Sequence, residues 1–316
     1  MTSVTKSTWL AVVITYKRDT LAKAAVESLL HQSDPFHNVL LVDNGASRDL
    51  ETWTHGLTGL AYVAPSENLG PAGAMNVAFE WAASLNTDPE TTWIVRLDDD
   101  RAVRPTFLAD RKKLARQAME ESTHTAGVGS SLRRISRWTG IIRPVPPREA
   151  NVAHLVEVGY LGTSNAPAFR LAPALAIGGF DAGLFIGFTE VNFGLRLTNA
   201  GFLLFAPGRR MQAPTPASSI IVPDGSRIAH YDLDRRYYSM RNEIWTYRSM
   251  GKPVLAAFVA VSRITGATLK SLIRSPGSTA RVWDTYIKAS RDAYRGRLGR
   301  TMPLAGDASA DDRPPT

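Results

Sequence analysis

Four short apolar runs alternate with helical stretches in the first hundred residues, and this rhythm restricts the fold more than any other feature of the chain. The runs are Leu10 to Tyr16, Val39 to Asn44, Leu60 to Ala64 and Trp93 to Leu97. Each is rich in β-branched or aromatic residues and lacks the apolar–polar alternation of a half-exposed strand, so each reads as a strand buried on both faces. The spacing predicts helices over Thr20 to Gln32, with Asp19 as cap, and over Pro71 to Leu85, with proline in the first turn. Strand, helix, strand, helix in this order implies a mostly parallel sheet flanked by helices. In such sheets ligands bind beyond the carboxyl ends of the strands. Polar residues gather there: Thr15, Tyr16 and Arg18, then Asp43 and Asn44, then Asp98-Asp99-Asp100.

The acidic triplet narrows the chemistry. Three adjacent carboxylates repel one another unless positive charge lies between them. On an extended segment Asp98 and Asp100 point the same way. Two hard oxygen donors on one face suit Mg²⁺ or Mn²⁺, completed by phosphate oxygens and water; an exposed acidic turn is the plainer alternative. The block Asn68-Leu-Gly-Pro-Ala-Gly-Ala-Met-Asn76 offers backbone that a diphosphate or ribose could approach at a helix start, or else a tight turn packed closely on a neighbour. Glu190 lies among Phe185, Ile186, Phe188 and Val191. Apolar surroundings raise a carboxyl pKa and suit a general base, although a first-turn carboxylate also favours the helix dipole. His230 becomes relevant only where a metal site needs a nitrogen ligand.

Taken in order, these blocks resemble glycosyltransferase family 2 and its GT-A fold. The matching segments are Val12 to Arg18, Val42 to Gly45, Asn68 to Asn76, Leu97 to Asp100, Gly178 to Asp181, Glu190 to Arg196 and Tyr237 to Asn242. The look is nearest to bacterial rhamnosyl- and galactofuranosyltransferase-like members, which carry a Tyr-Tyr-x-x-Arg-Asn block after a histidine. The resemblance implies a donor pocket lined by Thr15, Tyr16 and Arg18. Asp43 would receive the nucleobase, with Asn44 beside it, and Asn68, Gly70, Gly73 and Asn76 would shape the nucleotide-sugar pocket. Asp98 and Asp100 would be the Asp-x-Asp pair, Asp98 near the ribose as well as the metal, with His230 completing the metal sphere. Glu190 would deprotonate the acceptor hydroxyl, and Arg241 would serve the diphosphate or the structure. The implied donor is a UDP- or dTDP-sugar and the implied acceptor a glycan or lipid-linked saccharide of the cell envelope. Relatives often carry a second acidic residue where this chain has Thr189-Glu-Val-Asn192. The Gln-x-x-Arg-Trp block of processive synthases is absent, which favours addition of a single sugar.

The 316 residues accommodate one large α/β unit and an appendage: a catalytic domain over 1–245, a basic helical extension over 246–300, and a Pro-, Asp- and Ala-rich tail over 301–316 expected to be disordered. The absence of cysteine excludes disulfides and thiolate metal sites. The N-terminus lacks a secretory apolar core and no run reaches roughly 18 uninterrupted apolar residues, so the expected location is cytoplasmic. The net charge of +8 is uneven: residues 235–300 hold 14 Lys/Arg against 3 Asp/Glu, which leaves the rest slightly acidic. Apolar and basic residues mixed over Pro253 to Ser275 and beyond imply either a helix lying on the inner face of an anionic membrane or a helix packed on the catalytic domain or a second copy. Nucleic-acid binding by this segment leaves the acidic triplet unexplained. A sugar nucleotidyltransferase would carry a Gly-rich loop after the first strand, and a nicotinamide dehydrogenase Gly-x-Gly-x-x-Gly; that place holds Tyr16-Lys-Arg-Asp19.

Overall fold

The structure, a computed structural model, describes residues 7–136, 139–162, 166–211 and 233–303, together with the backbone of 220–221. The first half winds as expected: β1 (Thr8–Thr15), α1 (Asp19–Leu30), β2 (Asn38–Asp43), α2 (Arg48–Thr54), β3 (Leu60–Val63), α3 (Gly70–Ser84) and β4 (Thr92–Asp98). Then follow β5 (Ala102–Val103), α4 (Phe107–Glu121), β6 (Thr125–Val128), β7 (Arg133–Ile135), β8 (Ile142–Pro144), α5 (Pro147–Ala150), β9 (Leu155–Glu157), β10 (Ala168–Arg170), α6 (Leu171–Ala176), α7 (Thr189–Asn199), β11 (Leu203–Pro207) and β12 (Ile220–Ile221). Three helices close the chain: α8 (Leu233–Ser249), α9 (Pro253–Arg274) and α10 (Thr279–Tyr294).

The main sheet has the order β3-β2-β1-β4-β10-β6-β11-β9. β3, β2, β1 and β4 are parallel, and the register sets Thr15 beside Asp43 and Ile14 beside Asp98. The short β10 runs antiparallel between β4 and β6. Alternate residues of β1 serve opposite faces. Trp9, Ala11 and Val13 pack against α1 and α4, while Leu10 and Val12 pack with α3, α6 and α7. Both faces are therefore buried, as the apolar runs require. Phe180 stacks on Phe193 with centroids 4.0 Å apart, and Phe169 meets Phe193 edge-on at 5.3 Å. This aromatic cluster fixes α7 against the centre of the sheet, and each ring contributes about 2 kcal/mol by burial.

Several expectations change. Asp19 does not cap α1: Arg18 stands at the N-cap, and the Asp19 carboxylate accepts a hydrogen bond from the Ser47 hydroxyl instead. The proline-containing segment from Arg133 to Ala153 holds the paired strands β7 and β8 and the single turn α5. The boundary placed after residue 245 falls inside α8, whose Tyr237, Tyr238, Ile244 and Tyr247 form one buried cluster with Val259 of α9 and Ala289 of α10. Thr301 and Met302, assigned to the tail, are held by Tyr237 and Tyr238. The remainder of the tail, from 304, lies outside the described residues.

Candidate active site

β4 delivers the acidic triplet to the carboxyl edge of the sheet, and strand alternation separates its members. Asp99 turns inward and is 6% exposed. It accepts a hydrogen bond from the Thr15 hydroxyl at 2.9 Å and pairs with the Arg18 guanidinium. Burial pushes its carboxyl up to about 6, against the pull of Arg18 and Thr15, and Asp98 and Asp100 add to the rise. Asp98 and Asp100 turn outward, with side chains 28% and 20% exposed. Thr15 was expected to line a donor pocket. It is instead buried and braces the triplet from below, while Arg18 spans Asp99 and, at 3.7 Å, Asp100. Tyr16 is half-buried at the same strand end, with the Lys17 ammonium 5.3 Å from its ring.

Arg96 is the residue that the sequence reading passed over. It is 5% exposed in an otherwise apolar strand. One guanidinium nitrogen lies 3.2 Å from a Glu190 oxygen and the other 3.6 Å from Asp98. A single planar group thus joins the triplet to the start of α7 and brings the Asp98 and Glu190 carboxylates to one guanidinium. Glu190 does stand at the start of a helix, but its setting is an ion pair and not the purely apolar one expected. A charged residue amid Trp93-Ile-Val-Arg-Leu97 was the available signal, since a buried arginine requires acidic partners.

The turn after β2 corrects a second expectation. Asp43 is fully buried, and its carboxylate accepts from the amides of Gly45 and Ser47, both at 2.8 Å, and from the Tyr62 hydroxyl at 3.0 Å. These bonds lock the turn and offer no exposed acceptor to a nucleobase. Asn44 accepts from the Leu69 amide at 3.2 Å and so ties this turn to the start of α3. The Asn68 block follows its plainer alternative. Asn68 accepts from the Gly70 amide at 2.9 Å, and the Ala72 amide points to the carbonyl of Phe185. Gly70 has φ +64°, and a Cβ there would lie 2.5 Å from Phe185. Gly73 leaves room for Leu69, and Asn76 clamps the backbone of Phe180 with bonds of 2.9 and 2.8 Å. Gly70 and Asn76 therefore serve close packing of α3 against residues 180–185, and the Gly70 and Ala72 amides meet protein acceptors.

Arg241 is structural. It is fully buried, and its donors reach Gly299 O at 2.8 Å, Thr301 Oγ1 at 2.9 Å, Leu184 O at 3.0 Å and Asn242 Oδ1 at 3.0 Å. Its guanidinium also lies 4.9 Å from the Tyr238 ring, and burial lowers its pKa from the usual value. Asn242 beside it donates to the carbonyls of Leu184, Ile186 and Gly187 at 2.7–2.9 Å. These bonds hold a turn in which Phe185 and Phe188 adopt φ of 62° and 61°. Left-handed backbone at two phenylalanines costs on the order of 1–3 kcal/mol each and persists only under such restraint. The turn leads directly into Glu190, so the Tyr237-to-Asn242 block sets the entry of α7.

A hard divalent ion suits the outward oxygens of Asp98 and Asp100, whose nearest arginine nitrogens lie at ion-pair distances of 3.4–3.7 Å. Among the described residues no group of three or more His, Asp or Glu side chains could hold a metal. The third ligand expected, His230, lies outside the described residues.

A largely parallel sheet with a short antiparallel strand beside the acid-bearing strand, and a carboxylate facing that acid from a later helix, defines the class of GT-A transferases. Solved structures agree in fold. GalNAc-T7, crystallised with UDP, GalNAc and Mn²⁺, is 11% identical with a TM-score of 0.56 over 78% of this chain and 48% of its own. Staphylococcus aureus TarS 1–349 is 14% identical with a TM-score of 0.52 over 92% of this chain and 82% of its own. The mannosyltransferase PcManGT from Pyrobaculum calidifontis, in complex with GDP-Man and Mn²⁺, is 14% identical with a TM-score of 0.53 over 93% and 89%. This chain thus spans about half of the GalNAc-T7 structure and more than four-fifths of the other two. No curated protein matches it in sequence. Residues 10–137 match the family described as Glycosyl transferase family 2, and this match together with the shared fold supports an assignment to that family.

Proposed function

We propose that this glycosyltransferase moves a single sugar from a nucleotide-diphosphate donor to an acceptor hydroxyl with inversion at the anomeric carbon, and that Glu190 is its base. The observation that supports the reading is the Arg96 bridge, with one guanidinium beside both the Glu190 and the Asp98 carboxylates. Nucleotide sugars in complexes of the same fold, UDP-GlcNAc with TarS and GDP-Man with PcManGT, support the donor class. The acceptor oxygen attacks the anomeric carbon as the bond to the diphosphate oxygen breaks. The proton of the acceptor hydroxyl passes to Glu190, and the nucleoside diphosphate leaves. Asp98 and Asp100 would hold Mn²⁺ or Mg²⁺, which when bound supplies charge neutralisation at the leaving diphosphate. Arg18, against Asp99 and Asp100, keeps the triplet compact when no donor is present. Holding donor and acceptor in line supplies much of the acceleration.

The test pairs two measurements. Nucleotide sugars are screened by thermal shift with Mn²⁺ or Mg²⁺, and transfer is then followed for the wild type and Glu190→Gln. The variant should bind donor normally and turn over at least about a hundredfold more slowly, the usual contribution of a general base. Near-normal turnover by Glu190→Gln removes Glu190 from the role, and transfer that survives chelation removes the metal from the reading.

A further inference from the structure

α9 is apolar on two opposite faces, and only one of them is used. Ala256, Val259 and Ala260 are buried in the cluster formed with α8 and α10. On the other side Val254, Phe258, Val261, Leu269, Leu272 and Ile273 are between 53% and 83% exposed. Their spacing keeps them within one stripe along the helix, about 30 Å long at 1.5 Å per residue. An apolar stripe of this length left in water points to a partner. The sequence expectation of no spanning segment rested on uninterrupted runs. By average hydropathy α9 is the one helix among the described residues long and apolar enough to cross a bilayer. Ala256, Val259 and Ala260 on its other side are packed in the bundle, so α9 is not free to be surrounded by lipid and offers it the outer stripe.

The charge around the stripe identifies the occupant. From Pro253 to Trp283 there is no Asp or Glu. Lys270 and Arg274 sit exposed at the end of α9, and Arg281 follows at the start of α10. Trp283 and Ile287 are exposed apolar residues on α10, at 46% and 38%. By helical periodicity Lys270 and Arg274 lie off the stripe, toward the side that carries Ala256, and an apolar face backed by cations on a helix without acidic residues matches the boundary between head groups and acyl chains of an anionic bilayer. A second copy of the chain fits less well. A twofold contact brings the same surface together, so the cations at the end of α9 would approach their own equivalents, with no acidic residue on α9 and only the exposed Asp284 of α10 to pair them.

We infer that the exposed stripe of α9, from Val254 to Ile273, lies in the interface plane of an anionic lipid bilayer and docks the protein there as a peripheral enzyme. The inference does not depend on the catalytic reading, because none of these residues belongs to the cleft. The experiment is flotation of the full chain with vesicles of phosphatidylcholine alone and of phosphatidylcholine mixed with phosphatidylglycerol, at low and high salt. The wild type should float with the anionic vesicles and bind them less at high salt. Phe258→Glu with Leu272→Glu should weaken binding at least about tenfold, since two large apolar anchors are lost. Lys270→Gln with Arg274→Gln should weaken it about fivefold for each charge removed. All four positions are exposed, so both double variants should keep the wild-type melting curve by circular dichroism, which separates lost docking from lost folding. Failure of the wild type to float with anionic vesicles at low salt overturns the inference. So does flotation undiminished by Phe258→Glu with Leu272→Glu. A dimer in light scattering that this double variant dissolves, in a protein that does not float, assigns the stripe to a second copy and likewise overturns it.

Discussion

Replacing Arg241 by methionine separates the two roles that its position in the family pattern allows. The side chain is fully buried and donates to Gly299, Thr301, Leu184 and Asn242. Methionine retains much of the volume and removes every donor. The buried Asn242 oxygen then loses its donor, the buried Leu184 carbonyl loses one of its two, and an unmade buried hydrogen bond costs about 1–3 kcal/mol. Removal of a buried, fully hydrogen-bonded cation comes to about 3–5 kcal/mol in total. At about 2–4 °C per kcal/mol for a protein of this size, Tm should fall by about 10 °C. Arg241→Lys should lose roughly half as much, since it keeps the charge but not the planar fork. Differential scanning fluorimetry reads the stability, and titration with the nucleotide-sugar donor reads the affinity of the protein that remains folded. A Tm within about 2 °C of wild type combined with at least tenfold weaker donor binding would return Arg241 to the diphosphate and refute the structural role.

Three further outcomes follow from the same geometry. The folded pKa of Asp99, about 6, stands above its ordinary 3.8, so stability from this group is fully present below about pH 4 and is lost as pH rises through 6. The stability of the wild type relative to Asp99→Asn should therefore fall by up to about 3 kcal/mol between pH 4 and 7 in urea unfolding; a gap that widens in the opposite direction would mean that the Arg18 pair outweighs burial. Gly70→Ala forces a Cβ to within 2.5 Å of Phe185 at a φ of +64° and should cost about 2–5 kcal/mol, seen as a lower urea midpoint. Arg96→Met should change Tm little, because the Glu190 and Asp98 side chains both reach solvent, at 21% and 28% exposure, yet should lower kcat at least about tenfold by releasing Glu190. Unchanged kcat in that variant would show that the bridge positions nothing needed for transfer.

The parts of the molecule legible in the sequence are those governed by short-range periodicity. Buried strands read as apolar runs, so β1, β2 and β4, with the half-buried β3, and their polar ends could be located. The residues misread are those whose partners are remote in the chain. Gly70 meets Phe185, Arg241 meets Gly299 and Thr301, and Thr15 meets Asp99. Nothing in the spacing of Asn68 to Asn76 distinguishes a glycine that admits a ligand from one that admits a neighbouring carbonyl. Arg96 was legible in principle, as a cation within a buried strand, but its partner in α7 appears only once β10 has carried the chain back across the sheet.

That return crossing has a practical outcome for anyone dividing the protein. The segment that matches the family, residues 10–137, contains the acidic triplet but neither β10 nor α7. A fragment ending there would leave the flank of β4 with unpaired backbone groups and an apolar surface where Phe169 and Phe193 now pack. Such an open edge pairs with other edges. The recognisable half should therefore aggregate when expressed alone, and soluble expression should require a chain that continues at least through α7.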